Sequence, residues 1–358
     1  MKKPFFLLLL VWLFSGPAAA DSQYWEYSFR PGDSLWAIAD KYTTSANNWR
    51  EIQRINRLRQ GSNRKIQPGT RIVIPVSMLK IQPTPARVIA VTGDAIVQRA
   101  SGQQLRPKIG TLLYSGDKII TKSEQTVRLQ FADQSQLQIL ADSIVTLDKL
   151  SYFKKTGMVD TRIRLDAGRV NTQVRKQQAG SRYQIRTPAA TTAVRGTAFR
   201  LAFADKISRT EVTEGKVGVS IGGSIKLVPA GFGLVAEQGK PLPDPVKLLP
   251  PPALNPPQLQ AQTVSLSWQA LDGAVSYRYQ LAADAKFSDI RLDQTAAKNQ
   301  LKLAKLTPGH YFLRLRAIDS NRLEGKNART EFTVMPAPAK PDTDANVTTP
   351  INTLILSL

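Results

Sequence analysis

Between Arg87 and Val235 apolar and polar side chains alternate in one run after another. Val127, Leu129 and Phe131 alternate with Arg128 and Gln130, and Leu137 and Ile139 with Gln136 and Gln138. Ile163 and Leu165 alternate with Arg162 and Arg164, and Tyr183 and Ile185 with Arg182 and Arg186. Successive side chains of a strand point to opposite faces, so such runs, separated by Gly, Asp and Ser turns, predict half-buried antiparallel strands. No long helical pattern interrupts them, and residues 86–235 read as an all-β domain. Ahead of it the period changes. Tyr24 to Phe29 reads as a strand, and Leu35, Ile38, Ala39 and Tyr42 recur at helical spacing. Asp33 or Ser34 is placed to accept from the unpaired amides of that helix's first turn. A second helix runs through Trp49, Ile52 and Ile55 and stops at Asn56. After a basic loop, Pro68-Gly69 suits the centre of a type II turn that leads into the strand Arg71 to Pro75. Residues 24–76 therefore form a small unit ordered strand, helix, helix, strand.

The C-terminal third starts with proline. Eight of the seventeen residues in 241–257 are Pro, a density that favours extended polyproline structure, roughly 50 Å long if fully stretched. It reads as a semi-rigid linker that projects the C-terminal strands outward or toward a partner. The link at 80–85, before the all-β domain, has room for a hinge. In 258–335, Val264 to Trp268, Tyr277 to Ala282 and Tyr311 to Asp319 again alternate, with a core tryptophan and a Pro308-Gly309 turn. The tail 336–358 is rich in Pro, Asp and Thr and is expected to be disordered.

Lys2-Lys3, an apolar run from Phe5 to Phe14 and the close Ala18-Ala19-Ala20 describe a secretory signal peptide over 1–20, cleaved before Asp21. Ten apolar residues are too few to span a bilayer comfortably, so no transmembrane segment is expected after cleavage. With no cysteine in the chain there is neither a lipid attachment site nor a disulfide. The net charge of +22 over 358 residues favours anionic surroundings. Export turns that preference from nucleic acid toward anionic envelope polymers or acidic envelope proteins, in a periplasmic or secreted, wall-associated setting.

Three stretches resemble known families. Tyr27, Pro31-Gly32-Asp33-Ser34-Leu35, Ile38-Ala39, Tyr42, Ile55-Asn56, Ile66, Pro68-Gly69 and Ile72 to Pro75 closely resemble a LysM domain. The resemblance implies binding of N-acetylglucosamine-containing glycan, chiefly peptidoglycan. It also implies a shallow groove with Gly32, Asp33, Ser34, Leu35, Asn56, Ile66, Pro68 and Gly69 at or beside the sugar. The residues Gly93-Asp94, Gly116-Asp117, Ala132-Asp133-Gln134-Ser135, Ala193 to Phe199 and Thr213-Glu214-Gly215 look like a FecR-type domain, which occurs in envelope sensors coupled to sigma factors. Gln134 replaces the Gly usual in that turn, and the cytoplasmic segment and membrane span that precede the family's domain are missing here. The C-terminal strands resemble a fibronectin type III sandwich. The fold class expected is thus multidomain and mainly β: a βααβ LysM module, an all-β FecR-type domain and a β-sandwich.

Catalysis finds little support in these residues. A Cys-His pair is impossible, and the single histidine, His310, follows a turn and reads as a surface residue. A zinc site needs more nitrogen or sulfur ligands, and a serine triad would lack a nucleophile elbow. No metal set or cofactor is indicated. A glycosidase needs only two carboxylates, so a wall hydrolase using an unrecognised pair stands as one competing reading and an envelope signal sensor as another. The reading adopted is a non-enzymatic envelope protein. Its LysM module holds wall glycan while Arg128, Arg162, Arg164, Arg182 and Arg186 offer a basic sheet face to an anionic partner.

Overall fold

The structure, a computed structural model, describes residues 24–58, 66–260 and 262–336. The expected signal peptide, the basic loop at 59–65 and the tail beyond 336 lie outside the described residues.

The strands Tyr24–Ser28 and Arg71–Pro75 pair antiparallel, with Tyr24 opposite Pro75 and Ser28 opposite Arg71. Helices Leu35–Tyr42 and Trp49–Ile55 lie between them in sequence. The first helix is capped as expected, with Ser34 Oγ accepting from the Ala37 N–H at 3.1 Å. Its buried face, Leu35, Ile38, Ala39 and Tyr42, meets Ile52, Ile72 and Ile74 in one small core. That core does not end with the module, because Phe153 and Met158 of the next domain belong to the same cluster. Backbone bonds fix the junction. Lys80 N–H donates to Tyr42 O at 2.8 Å and Lys154 N–H to Lys80 O at 3.1 Å, and Ile81–Pro83 pairs antiparallel with Ser151 to Phe153. The 80–85 link, which had room for a hinge, instead holds a docked strand, tied down by a ladder that sequence distance concealed.

The alternating residues of the second domain fall on the faces their period predicts. Val127, Leu129, Leu137, Ile139, Ile163, Leu165, Tyr183 and Ile185 all point into one core. The strands make two curved sheets that close into a barrel. The 15-residue strand Val159–Gln173 belongs to both sheets. Asp160 to Arg164 run parallel to Arg182–Arg186, whereas Gly168 to Gln173 run antiparallel to Ala198 to Phe203. The barrel reaches beyond 86–235, since Val246–Lys247 pairs with Phe232 and Gly233. At the turn where Gln134 replaces glycine, φ is +66°. A side chain in the left-handed region costs about 1–2 kcal/mol, against about 0.5–1 kcal/mol of extra chain entropy for glycine. The exposed Gln134 has little to lose, so Gln134→Gly is expected to stabilise the protein by on the order of 0.5–1 kcal/mol, read as a raised urea midpoint.

The third domain is a sandwich. One sheet comprises Gln258–Gln260, Thr263–Ser267 and Gln300–Leu303, and the other Ile290–Ala296, Ala274–Ala282, Gly309–Asp319 and Ala328–Val334. Trp268 packs edge-on against Tyr277 at 5.1 Å between them. The expected projection of this domain is not what the chain does. The leucines scattered among the prolines of 241–257 are drawn onto apolar surface: Leu242 and Leu248 are buried. Leu248 N–H donates to Gly231 O, and Lys326 N–H to Leu249 O, each at 2.9 Å. The segment lies along both domains and the sandwich sits against the barrel.

The seam between barrel and sandwich has an apolar and an ionic part. Leu140 of the barrel packs with Ala282, Phe287 and Ile290 of the sandwich. Beside them, Arg200 on the barrel pairs with its neighbour Glu211 at 2.5 Å and donates to Gly325 O at 2.8 Å. Glu324 of the sandwich takes Arg278 at 2.6 Å, Arg316 at 2.7 Å and the barrel's Arg169 at 3.4 Å, while Arg169 also reaches Asp293 at 2.8 Å. Arg316 is 1% exposed, so this is a desolvated network in which each charge has an opposite neighbour.

Candidate functional site

Two turns stand side by side at one end of the first module. Gly69 N–H donates to Phe29 O at 2.7 Å and Phe29 N–H to Thr70 O at 2.8 Å, which holds the 30–33 turn against the 67–70 turn. Gly32 and Gly69 have φ of +82° and +89°, and a Cβ on either would meet nothing within 4 Å. Together with exposed Pro68 and half-buried Ile66 they form an open, backbone-rich face. Asp33 stiffens it: its Oδ2 accepts from Tyr27 Oη and from the Arg30 N–H, each at 2.7 Å. Burial, and then this bond to Asp33, push the Tyr27 phenol well above its ordinary value, so it remains a donor at any physiological pH. Ser34 spends its hydroxyl on the helix cap.

Two expected contact residues are placed otherwise. The Leu35 side chain is 0% exposed, inside the module's core. The Asn56 amide is consumed by the fold, with Nδ2 donating to Ile52 O at 2.7 Å and Val73 O at 2.8 Å and Oδ1 accepting from the Val73 N–H at 2.7 Å. It clamps the second helix to the second strand, because an Asn at a helix end can mimic a strand's backbone. The sequence did not single out Trp36, which stands 55% exposed one residue beyond Leu35. Its signal was present as the one aromatic of the first helix off the apolar face.

The predicted basic face divides. Arg162 and Arg164 project with Arg182 and Arg186 from one side of adjacent strands, where Arg164 is opposite Arg186. Part of that charge is already matched. Asp160 takes Lys149 at 2.8 Å and Arg162 at 2.9 Å. Burial would raise the Asp160 carboxyl, but these two cations hold it below its ordinary value. Arg164 lies 3.4 Å from Asp148. Lys149, Arg162 and Arg182 then line a cleft of about 700 Å3 between barrel and LysM module, with Tyr24 and Arg54 on the other wall. Arg128 is not part of this face. It sits on the other sheet and donates into the sandwich, to Ser288 Oγ at 2.8 Å and Phe287 O at 2.9 Å, because that sheet's polar side is covered by the third domain rather than by water. His310 is at the surface, with Nδ1 2.9 Å from Thr333 Oγ1. Among the described residues no three His, Cys, Asp or Glu side chains gather as a metal set, and no helix is long and apolar enough to cross a membrane.

Comparison with known proteins agrees with this layout. Residues 27–75 match the family model described as LysM domain, and residues 117–218 the one described as FecR protein. LysM domains bind N-acetylglucosamine-containing glycans such as peptidoglycan, and both families are binding or signalling domains. Together they mark an envelope-associated protein. Among solved structures, a candidate anti-sigma factor from Parabacteroides distasonis aligns at 15% identity with a TM-score of 0.31, covering 36% of this chain and 59% of that one. FN3tt aligns at 20% identity and a TM-score of 0.19, over 22% of this chain and 80% of its own. The FN1-FN3 domains of chicken CNTN1 align at 12% and 0.21, over 71% and 98%. The chain thus spans 59% of the length of the anti-sigma structure. No curated protein matches it in sequence. The protein is a multidomain, mainly β chain. It carries a LysM domain, a FecR-type region and a C-terminal two-sheet sandwich.

Proposed function

We propose that the protein is exported to the cell envelope. There it binds peptidoglycan glycan through the paired turns of its LysM module and holds the barrel and sandwich against the wall as a rigid, non-catalytic platform for an envelope partner. The observation that carries the reading is the open face made by Gly32, Pro68 and Gly69 within a matched LysM domain. Two adjoining tight turns leave backbone N–H and C=O groups beside an unobstructed surface, which suits a glycan rich in acetamido and hydroxyl groups. Away from those turns, at the Tyr24–Pro75 end of the module, Arg162, Arg164, Arg182 and Arg186 on the barrel offer positive charge to an acidic protein or anionic envelope polymer. Mature protein mixed with purified sacculi should sediment with them at moderate salt, and retention in the supernatant would sink the reading. The FecR match over 117–218 favours a second reading, reception of an envelope signal. Deleting the gene would then change transcription of a defined gene set. A cleared band on peptidoglycan zymography would replace both with a hydrolase.

A further inference from the structure

A second cleft, of about 560 Å3, opens at the seam between barrel and sandwich, remote in sequence from the LysM turns, and its walls are charged unevenly. Six cationic side chains line it against one carboxylate, Glu214. Two of the six, Arg200 and Arg316, have carboxylate partners in Glu211 and Glu324. Arg128 and Arg314 have none at ion-pair distance among the described residues, although Asp284 favours the charged form of Arg128, and Asp293 and Glu324 that of Arg314, from further off. Arg128 reaches only a hydroxyl and two carbonyls. Arg314 donates through Nε to Gln280 Oε1 at 2.5 Å and lays its guanidinium over the Phe287 ring, 4.2 Å from the centroid. The same Gln280 oxygen also accepts from Arg316 at 2.5 Å. Arg314 Nη2, Arg316 Nε and Asn327 Oδ1 are buried and find no hydrogen-bond partner among the described residues.

Buried guanidinium N–H groups are among the most costly to leave unpaired, and each such group calls for a physical account. A network built only for docking would have matched these charges, as Glu324 is matched a few residues away. Burial, with Arg316 and Arg200 adding like charge, pushes the Arg314 guanidinium well below its ordinary value. The pocket is thus short of negative charge. Five amides, Gln136, Gln138, Asn171, Gln173 and Asn327, share the rest of its wall with threonine and apolar side chains, and of these Gln138 is engaged with Phe287 O and Asn171. Converging guanidiniums recognise planar or tetrahedral oxyanions. A row of amides recognises hydroxyl and acetamido groups. The volume exceeds what a bare oxyanion needs and lies in the range of small-molecule sites.

We infer that this cleft binds an acidic sugar, its carboxylate or phosphate held by Arg128 and Arg314 and its hydroxyl and amide groups by the glutamine and asparagine wall. The site is separate from the glycan face of the LysM module and does not depend on that module binding anything. It places sugar recognition at a domain junction, so ligand and docking support each other.

The test is calorimetric titration of the full mature chain carrying Gly32→Asn and Gly69→Asn, which obstruct the LysM face. The probes are N-acetylmuramic acid, N-acetylglucosamine 1-phosphate, neutral N-acetylglucosamine and inorganic phosphate. At least one acidic sugar should bind, at least tenfold more tightly than the neutral sugar and than inorganic phosphate, with an affinity that falls as salt rises. Which of the two binds identifies the anionic group. Arg128→Gln and, separately, Arg314→Gln should each weaken that binding at least tenfold, whereas Lys302→Gln, at the sandwich surface, should not. Arg314→Gln also removes a poorly matched charge, so the unliganded Tm should hold or rise while the ligand-induced rise in Tm disappears. A purely structural Arg314 would instead lower the unliganded Tm and leave binding to Arg128→Gln-sensitive groups intact. Equal binding of the neutral sugar, equal binding of inorganic phosphate, unchanged affinity in Arg128→Gln, or no binding at millimolar acidic sugar would each overturn the inference.

Discussion

Glu324→Gln is expected to destabilise the protein by about 3–5 kcal/mol, the cost of stranding buried partners when one member of an ion network is removed. Glu324 is the shared acceptor of Arg278, Arg316 and Arg169. Glutamine keeps the shape but offers one carbonyl oxygen where three guanidiniums now find a carboxylate. Arg316 cannot turn to water to compensate, being 1% exposed. The loss should fall on the seam first, so urea unfolding of the variant should separate a sandwich transition from that of the barrel, and protease should gain entry at 241–257. An unchanged single transition would show that the apolar contact of Leu140 with Phe287 carries the docking alone. Acid should act in the same direction. Burial would raise the Glu324 and Asp293 carboxyls, but Arg316, Arg278 and Arg169 around them hold both below the ordinary carboxylate range. Groups whose folded pKa is depressed contribute stability above the unfolded value, and that contribution is lost as pH falls through the folded one. The seam should therefore loosen below about pH 4, the unfolded carboxylate value. Glu211, which burial and the neighbouring Glu324 push upward despite Arg200, offsets part of that loss.

Gly168→Ala should be comparably severe for a different reason. The long strand Val159–Gln173 changes sheets there with φ +90°, and a Cβ would lie 2.3 Å from Ser143 Oγ and 2.4 Å from Asp142 O. Ser143 cannot simply turn aside, because its Oγ accepts from the Arg169 N–H at 2.9 Å and donates to Ala141 O at 3.1 Å. The left-handed backbone alone costs about 1–2 kcal/mol, and the collision brings the total to on the order of 3 kcal/mol or more, in the range of the most damaging single changes. Gly102, with φ +87° and nothing within 4 Å of an added Cβ, supplies the control. Gly102→Ala should lose only the backbone share. If the two variants show equal urea midpoints, crowding at the corner is not what Gly168 relieves.

The sequence made the cores legible because side-chain alternation is a property of single strands. Val127, Leu129 and Phe131 had to face inward together whatever lay across from them. It could not say what covers the opposite face. The polar residues Arg128, Gln138, Asn171, Arg200 and Glu211 fall in one register row across neighbouring strands. Such a row looks the same in sequence whether it meets water or a second domain. Gln138, Arg200 and Glu211 are buried, and Arg128 left the predicted face for that reason. The 80–85 and 241–257 segments were misjudged likewise, since their proline content is visible but their partners, Ser151 to Phe153 and Gly231, are far away in the chain. At the LysM site the turn chemistry of Gly32, Pro68 and Gly69 was readable from residue type. Asn56 was not, because a side chain that serves as a surrogate strand is polar like a ligand contact.

The most direct measurement is titration of the mature protein with an N-acetylglucosamine oligosaccharide, followed by calorimetry and by the fluorescence of exposed Trp36, beside the same titration of the Gly32→Asn/Gly69→Asn variant. Asn tolerates the left-handed backbone of both turns better than other side chains, so the fold should persist with its thermal midpoint little changed. The account predicts saturable binding by the wild type and at least a tenfold loss in the variant. Equal binding by both proteins, or none by the wild type, would contradict it.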